Sequence, residues 1–368
     1  MGEASRTAVM STMYKNKGER SDWAMYRPVS VTTILYRIYG GCLEQCLARA
    51  MPFIIGDSQV GYARKRKLDE NVNLVTEVIR YLDNDAPSEG GLLLMLDKNM
   101  KAFDRVQWPF MFAALEAFGL PPDFVSAVRV MYADVQTAVK TNGVCGSPFK
   151  VSSGIRQGCV LSAFLYVVVQ EVQLRMIRAS AVKGIRIPGP DGQTAEGRTA
   201  TVKERALVDD TLVMLGEASD LPALLAVIHR FERISNHKMN LSKSLLVLMG
   251  KYSALDPVDG DSSDERLLKS AMATCGITAD KVVSMRSDAA VALDKWHGIR
   301  AANERGIGAQ WTKLVAKVKA RASEICAAQD VTKNGSRGRE ASARWGVAAK
   351  AVYPMKFQTP HSRELGAL

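Results

Sequence analysis

The chain has 368 residues, 47% of them hydrophobic, and its 49 Lys and Arg against 38 Asp and Glu leave a net charge of +11. That length and apolar content exclude a disordered tail and allow two or three domains of roughly 100–200 residues each. The basic balance points to a polyanionic partner, most simply nucleic acid, with a merely basic protein as the plain alternative.

Six cysteines form no CxxC pair and four histidines are scattered without ligand spacing. A zinc site or disulfide framework is therefore not expected, and a reducing compartment fits. The opening residues MGEASRTAVM lack the apolar core of a signal peptide. No apolar run of about 18 residues stands out, so no membrane-spanning helix and no membrane partner are expected.

Residues 1–20 read as loose and polar. Apolar residues at helical spacing from Val31 to Leu47 predict a helix that ends before Pro52. A glycine turn and the basic cluster Arg64, Lys65, Arg66 and Lys67 precede a second amphipathic helix, and Pro87 to Gly91 punctuate. The run LLLML ends in Asp97 and predicts a buried strand with a carboxylate at its C-terminal end. Helical patterns follow from Trp108, broken by Gly119 and the Pro121-Pro122 pair; Asn142-Gly143 is a hairpin signal. GIRQG is a glycine-rich turn feeding a long apolar helix. ALVDDTLVML, Ala206 to Leu215, predicts a hairpin with Asp209 and Asp210 at its tip. A helix then stops near Asn236, KSLLVLMG predicts a strand, and residues from 251 read as a surface linker. From Trp296 the pattern is helical and basic, and residues 311–368 hold 11 Lys and Arg against 4 Asp and Glu.

Two adjacent carboxylates repel, and their pKa values are driven apart unless a cation sits between them. Asp-Asp between apolar strands therefore suggests a hard-metal site, since Mg²⁺ prefers oxygen ligands. Asp97 would supply the third carboxylate of a two-metal site, of the kind that holds ions about 3.5–4 Å apart. The plain alternative is an ordinary turn, for which Asp is well suited.

YRPVS, QVGY, KAFDRV, GIRQGCVLS, LVDDTLVML and NLSKS follow one another in this order. In these phrases the chain resembles the reverse transcriptases of non-LTR (LINE-type) retrotransposons. The resemblance implies an α+β right-hand polymerase. Residues 1–20 would be a loose N-terminal segment, 21–90 fingers, 91–250 a palm with interleaved finger elements, 251–290 a linker and 291–368 a basic helical thumb. It implies RNA-directed DNA polymerisation: deoxynucleoside triphosphates added to a DNA primer 3′-hydroxyl on an RNA template, with two Mg²⁺ ions. Asp97, Asp209 and Asp210 would be the catalytic metal ligands, and Lys243 a general acid toward pyrophosphate. Arg66 would grip the triphosphate. Phe103 would lie under the incoming sugar and exclude a 2′-hydroxyl. Gln157 would meet the nascent base pair, and Gly154 and Gly158 would let the backbone approach nucleic acid closely. Arg27, Arg64 and Arg156 would contact nucleic acid. Each has a plainer reading: Phe103 as core, Lys243 as a strand end, Arg64 to Lys67 as a solvated face.

The chain departs from the family in three places, one of them Arg64-Lys65, which stand where a proline-glycine turn is usual. Lys98, Asn99 and Met100 separate Asp97 from Lys101, one residue more than usual, so Phe103 stands six after Asp97. An extra residue rotates the downstream side chains relative to the strand unless a bulge absorbs it. Leu207 and Val208 precede Asp209 where an aromatic is usual. These departures keep a second reading open, a catalytically impaired remnant that only binds nucleic acid. The resemblance further implies an intracellular, nuclear setting, with target cleavage supplied from elsewhere; oligomeric state is left open.

Overall fold

The computed structural model describes residues 3–16, 18–63, 65–96, 102–187, 200–239, 244–256 and 259–284. Asp97, Arg64, Lys243 and the expected thumb lie outside the described residues.

Helix α1 (Glu3–Arg6) leads into β1 (Thr7–Tyr14), which pairs antiparallel with β2 (Tyr26–Val31). The N-terminal segment expected to be loose thus carries a strand. Its other partner is non-local, the parallel strand β4 (Gln136–Thr141), and its half-buried residues show no clean alternation to read. Helix α2 (Ile34–Ile54) starts at Thr33, whose hydroxyl accepts from the Tyr36 amide at 3.3 Å. It runs through Pro52, past its expected end. The proline falls in the last turn, and the Ile55 amide closes the helix on the Met51 carbonyl at 3.0 Å.

Helix α3 (Leu68–Arg80) precedes β3 (Gly90–Leu96). Helices α4 (Ala102–Arg105), α5 (Trp108–Ala117) and α6 (Pro122–Tyr132) follow. Strand β4 turns into β5 (Val144–Cys145) through Asn142 and Gly143, both at positive φ, as the Asn-Gly signal required. Strand β6 (Phe149–Lys150) pairs with β4, and α7 (Val160–Ala179) follows the GIRQG turn. Strands β7 (Ile185–Ile187) and β8 (Ala200–Val202) form a small sheet. The expected hairpin is β9 (Glu204–Leu207) and β10 (Asp210–Leu215). Helix α8 (Leu221–Ser235) ends at Asn236, whose left-handed φ of 61° caps it. Strand β11 (Leu245–Gly250) follows.

The expected linker contains a folded unit instead. Helix α9 (Ser263–Cys275) opens on a reciprocal Ser262–Glu265 capping box, buries Leu268 and Met272, and leads to β12 (Val282–Ser284). Its polar sequence hid a single apolar stripe.

The second sheet has the order β12-β11-β3-β10-β9. Central β3 is antiparallel to both neighbours and covered on both faces, hence its unbroken LLLML. Leu92, Leu94 and Leu96 pack with Val213 and Leu246 against α8 and α9. Leu93 packs with Leu212 and Val247 against Val75 and Val78 of α3. A separate core gathers α2, α5, α6 and α7. Helix α7, with 20 residues, is by length and composition alone long and apolar enough to cross a membrane, an apolar run not picked out from the sequence. Here its apolar length is spent on the core: Leu165 to Val169 are fully buried. The α+β class expected from sequence holds.

His237 lies where that core meets the second sheet. It is fully buried against Phe231 and Tyr166, with ring centroids at 5.3 and 5.8 Å, and neither ring nitrogen has a partner among the described residues. Burial, helped by the charge of Arg105, pushes its pKa down from 6.5 to about 4. Unfolding exposes a ring that takes a proton below pH 6.5, while the folded ring stays neutral until about pH 4. Stability therefore falls as pH drops through that window, by on the order of 3 kcal/mol for this group. His237→Phe should remove that part of the slope, as read by denaturant unfolding at pH 7 and pH 4.5.

Candidate active site

Asp210 pairs with Leu207, so Val208 and Asp209 form the two-residue tip of the β9–β10 hairpin. Val208 has a φ of +58°, the left-handed region that β-branched residues avoid. Asp209 and Asp210 are half-buried at this tip. On the neighbouring strand Leu96, the last residue of β3, pairs with Thr211, next to Asp210. Asp97 follows Leu96 in sequence and lies outside the described residues. Among the described residues no three His, Cys, Asp or Glu gather as a metal cluster, but two of the three expected carboxylates stand side by side.

A loop from the end of α2 holds the hairpin. The Ala206 amide donates to the Ser58 carbonyl at 2.8 Å, and the Val60 amide to the Ala206 carbonyl at 3.1 Å. Asn71 of α3 adds a side-chain bond to the same Ala206 carbonyl at 3.1 Å. The buried Gln59 carboxamide accepts from the amides of Val208 and Gly61 at 2.9 and 2.8 Å, and donates to the Val208 carbonyl at 3.3 Å. Gly61 is required by space: a Cβ there would lie 2.6 Å from Val208 Cγ2. Helix α7 braces the loop through Arg175, which donates to the Ile54 carbonyl at 2.6 Å, and Arg178, 3.4 Å from Ser58 Oγ. Both arginines bind the buried Glu171, and Arg178 also lies 3.5 Å from Glu204 of β9, whose pKa burial pushes up.

Behind β10, the Thr211 hydroxyl accepts from Gln170 at 3.0 Å, and Gln170 donates to Gln173 at 2.6 Å. Tyr166, one turn back on α7, donates to Gln170 at 3.4 Å and stacks on Phe103 with centroids 4.8 Å apart and planes at 16°. Phe103 is half-buried on α4, and Val208 packs against the same core. Gln157 donates to Asp104 at 3.3 Å, while its carbonyl receives the Ser30 amide at 2.8 Å. This joins the GIRQG turn to β2, where Arg27 is exposed. The structure thus brings Phe103, Gln157 and the aspartate tip to linked elements.

Three expectations need correction. Arg156 is 7% exposed, stacks over Tyr36 and donates to the carbonyls of Arg6 and Gln136. It ties the end of α1 and the start of β4 to α2 and is not presented to phosphate. Gly154 and Gly158, at φ +90° and +111°, do permit close approach, but to this chain's own backbone. A Cβ would lie 2.8 Å from the Asp104 carbonyl oxygen at Gly154 and 2.6 Å from that of Ser30 at Gly158. Arg66 is spent on its own loop, bonding the carbonyls of Ile55, Gly56 and Gln59 and pairing with Asp57 at 3.1 Å. Gln59, Gly61 and Asn71 were not singled out from sequence. QVGY was visible as a phrase, but its partner lies 149 residues away.

Residues 15–283 match the reverse transcriptase (RNA-dependent DNA polymerase) family. The chain is 29% identical over 262 residues to the uncharacterized 149 kDa protein of transposon TX1 from Xenopus laevis, covering 71% of this chain and 19% of that protein. It is 24% identical over 247 residues to the Pol polyprotein of the type-1 retrotransposable element R2 from Popillia japonica, covering 66% of this chain and 32% of that one. It therefore spans a third or less of each of these relatives. Among solved structures it is similar to apo telomerase from Candida tropicalis truncated from its C-terminal domain, at 12% identity and a TM-score of 0.47, covering 70% of this chain and 51% of that one. With nearly three quarters of its length matched, the chain belongs to the reverse transcriptase family.

Proposed function

We propose that this chain is the RNA-directed DNA polymerase of a non-LTR retrotransposon, adding deoxynucleotides to a DNA primer on an RNA template. The observation that carries this is the aspartate tip beside the end of β3, within a chain matched to the family across both elements. On this reading chromosomal DNA supplies the primer, which puts the work in the nucleus.

The donors at the tip are carboxylates only, which suits a hard divalent cation. Asp97, Asp209 and Asp210 would hold two Mg²⁺ ions, which when bound supply charge stabilisation to the attacking and leaving oxygens. The primer 3′-hydroxyl would release its proton to solvent as its oxygen bonds the α-phosphorus and the bond to pyrophosphate breaks, and Lys243 would give the leaving pyrophosphate a proton that it regains from solvent. Phe103, held flat against Tyr166, presents bulk against a 2′-hydroxyl. Gln157 is oriented by Asp104 to meet the nascent base pair. Arg27 and Arg64 contact template phosphates, which position without specifying sequence.

The test is primer extension on poly(rA)/oligo(dT) with Mg²⁺. The wild-type chain should extend, and Asp209→Asn should lose activity by on the order of a thousandfold or more. The extra residue between Asp97 and Lys101 favours a second reading, a remnant that only binds; absent extension with salt-sensitive duplex binding intact would support it. Phe103→Val should raise ribonucleotide incorporation relative to deoxynucleotide by about 10-fold or more, the usual worth of a few methylenes of steric bulk. Competition assays with paired nucleotides read this ratio.

A further inference from the structure

The paired aspartates stand on a tip whose first residue is held where a valine does not settle by itself. Val208 has a φ of +58°, and its two methyls make the left-handed region costly. Relaxing to negative φ would swing the next residues, and these are Asp209 and Asp210. A force must hold Val208, and the bonds on Val208 show which one.

Gln59 bonds both backbone groups of Val208, accepting from its amide at 2.9 Å and donating to its carbonyl at 3.3 Å. The same Oε1 accepts from Gly61 at 2.8 Å, which ties the carboxamide to its own loop. Gln59 is fully buried, so no water competes for these bonds. Gly61 closes the other side, leaving no room for a Cβ beside Val208 Cγ2. The loop is in turn braced by Arg66 and by Arg175 of α7.

We propose that Gln59 is a positioning residue of the polymerase: its carboxamide holds Val208 in the left-handed conformation and so aims Asp209 and Asp210. This rests on the function proposed above, but the clamp itself can be tested apart from it. Gln59 touches no reacting atom. It acts through the turn, and the finger loop thereby sets the geometry of the palm carboxylates.

Gln59→Met keeps the side-chain volume and removes the three hydrogen bonds. Hydrogen exchange of the peptide spanning residues 204–215 should speed up by about tenfold at the tip, with β3 unchanged as a control for folding. The kcat of primer extension should fall by about a hundredfold, since small misplacements at a reacting centre cost that much, while the nucleotide KM stays within about twofold. Adding Val208→Gly to Gln59→Met should recover much of kcat, because glycine takes positive φ freely; a role in general packing predicts no such rescue. Gly61→Ala, pressing on Val208 from the other side, should repeat the loss of kcat. Unchanged exchange at the tip in Gln59→Met overturns the proposal, as does faster exchange with unchanged kcat. A wild-type chain that extends no primer overturns the polymerase reading, and the exchange comparison still decides whether Gln59 holds the tip.

Discussion

Ala206 exchanges backbone hydrogen bonds with Ser58 and Val60, and through this seam the loop after α2 is joined to the strand just ahead of the paired aspartates. Sequence separation makes it expensive to form, because about 145 residues of chain must close before the first bond is made. Once closed it is reinforced from every side by groups that have nowhere else to bond. Asn71, Gln59 and the Ser58 hydroxyl are buried, and leaving any of them unpaired would cost about 1–3 kcal/mol. Arg66, Arg175 and Arg178 turn their guanidinium groups to loop carbonyls, Ser58 and the buried Glu171 and Glu204. Removing one partner from such a cluster is costly in a way that replacing all of it is not.

The seam explains why a hairpin tip can carry two carboxylates and a left-handed valine. An isolated two-residue turn prefers Asn, Asp or Gly at positive φ. Here tertiary bonds replace that local preference, which is how functional turns keep unfavourable backbone. The second sheet supplies the rest of the frame. Covered on both faces, β3 and β10 are fixed in register, so the end of β3 and the start of β10 are adjacent by construction.

The parts legible in the sequence are those whose physics is local. The unbroken LLLML run announced a doubly covered strand, Asn142-Gly143 a tight hairpin, and Asn236 a helix stop. The aspartate tip was legible as a hairpin because two strand-like apolar runs flank a pair of good turn residues. The elements that were missed depend on partners far along the chain. Strand β1 is specified by β2 and β4, not by its own pattern. Arg156 looked like a surface cation in a glycine-rich turn, yet its guanidinium lies over Tyr36 and bonds the carbonyls of Arg6 at the end of α1 and Gln136 at the start of β4. Gly154 and Gly158 signalled close approach correctly, but sequence does not say what approaches. Helix α9 was missed because its polar, acidic surroundings outweighed four buried positions, although Ser262 and Glu265 form a readable capping box.

On the function proposed here, the aspartate tip and the residue after β3 form one metal-binding centre. Iron-directed hydroxyl-radical cleavage tests it most directly: the chain is loaded with Fe²⁺ in place of Mg²⁺ and treated with ascorbate and peroxide. A single centre should give backbone cuts around Asp97 and around Asp209 and Asp210 together, suppressed by excess Mg²⁺ and absent in Asp209→Asn. Cuts at one of these segments without the other, or cuts that persist in Asp209→Asn, would contradict it.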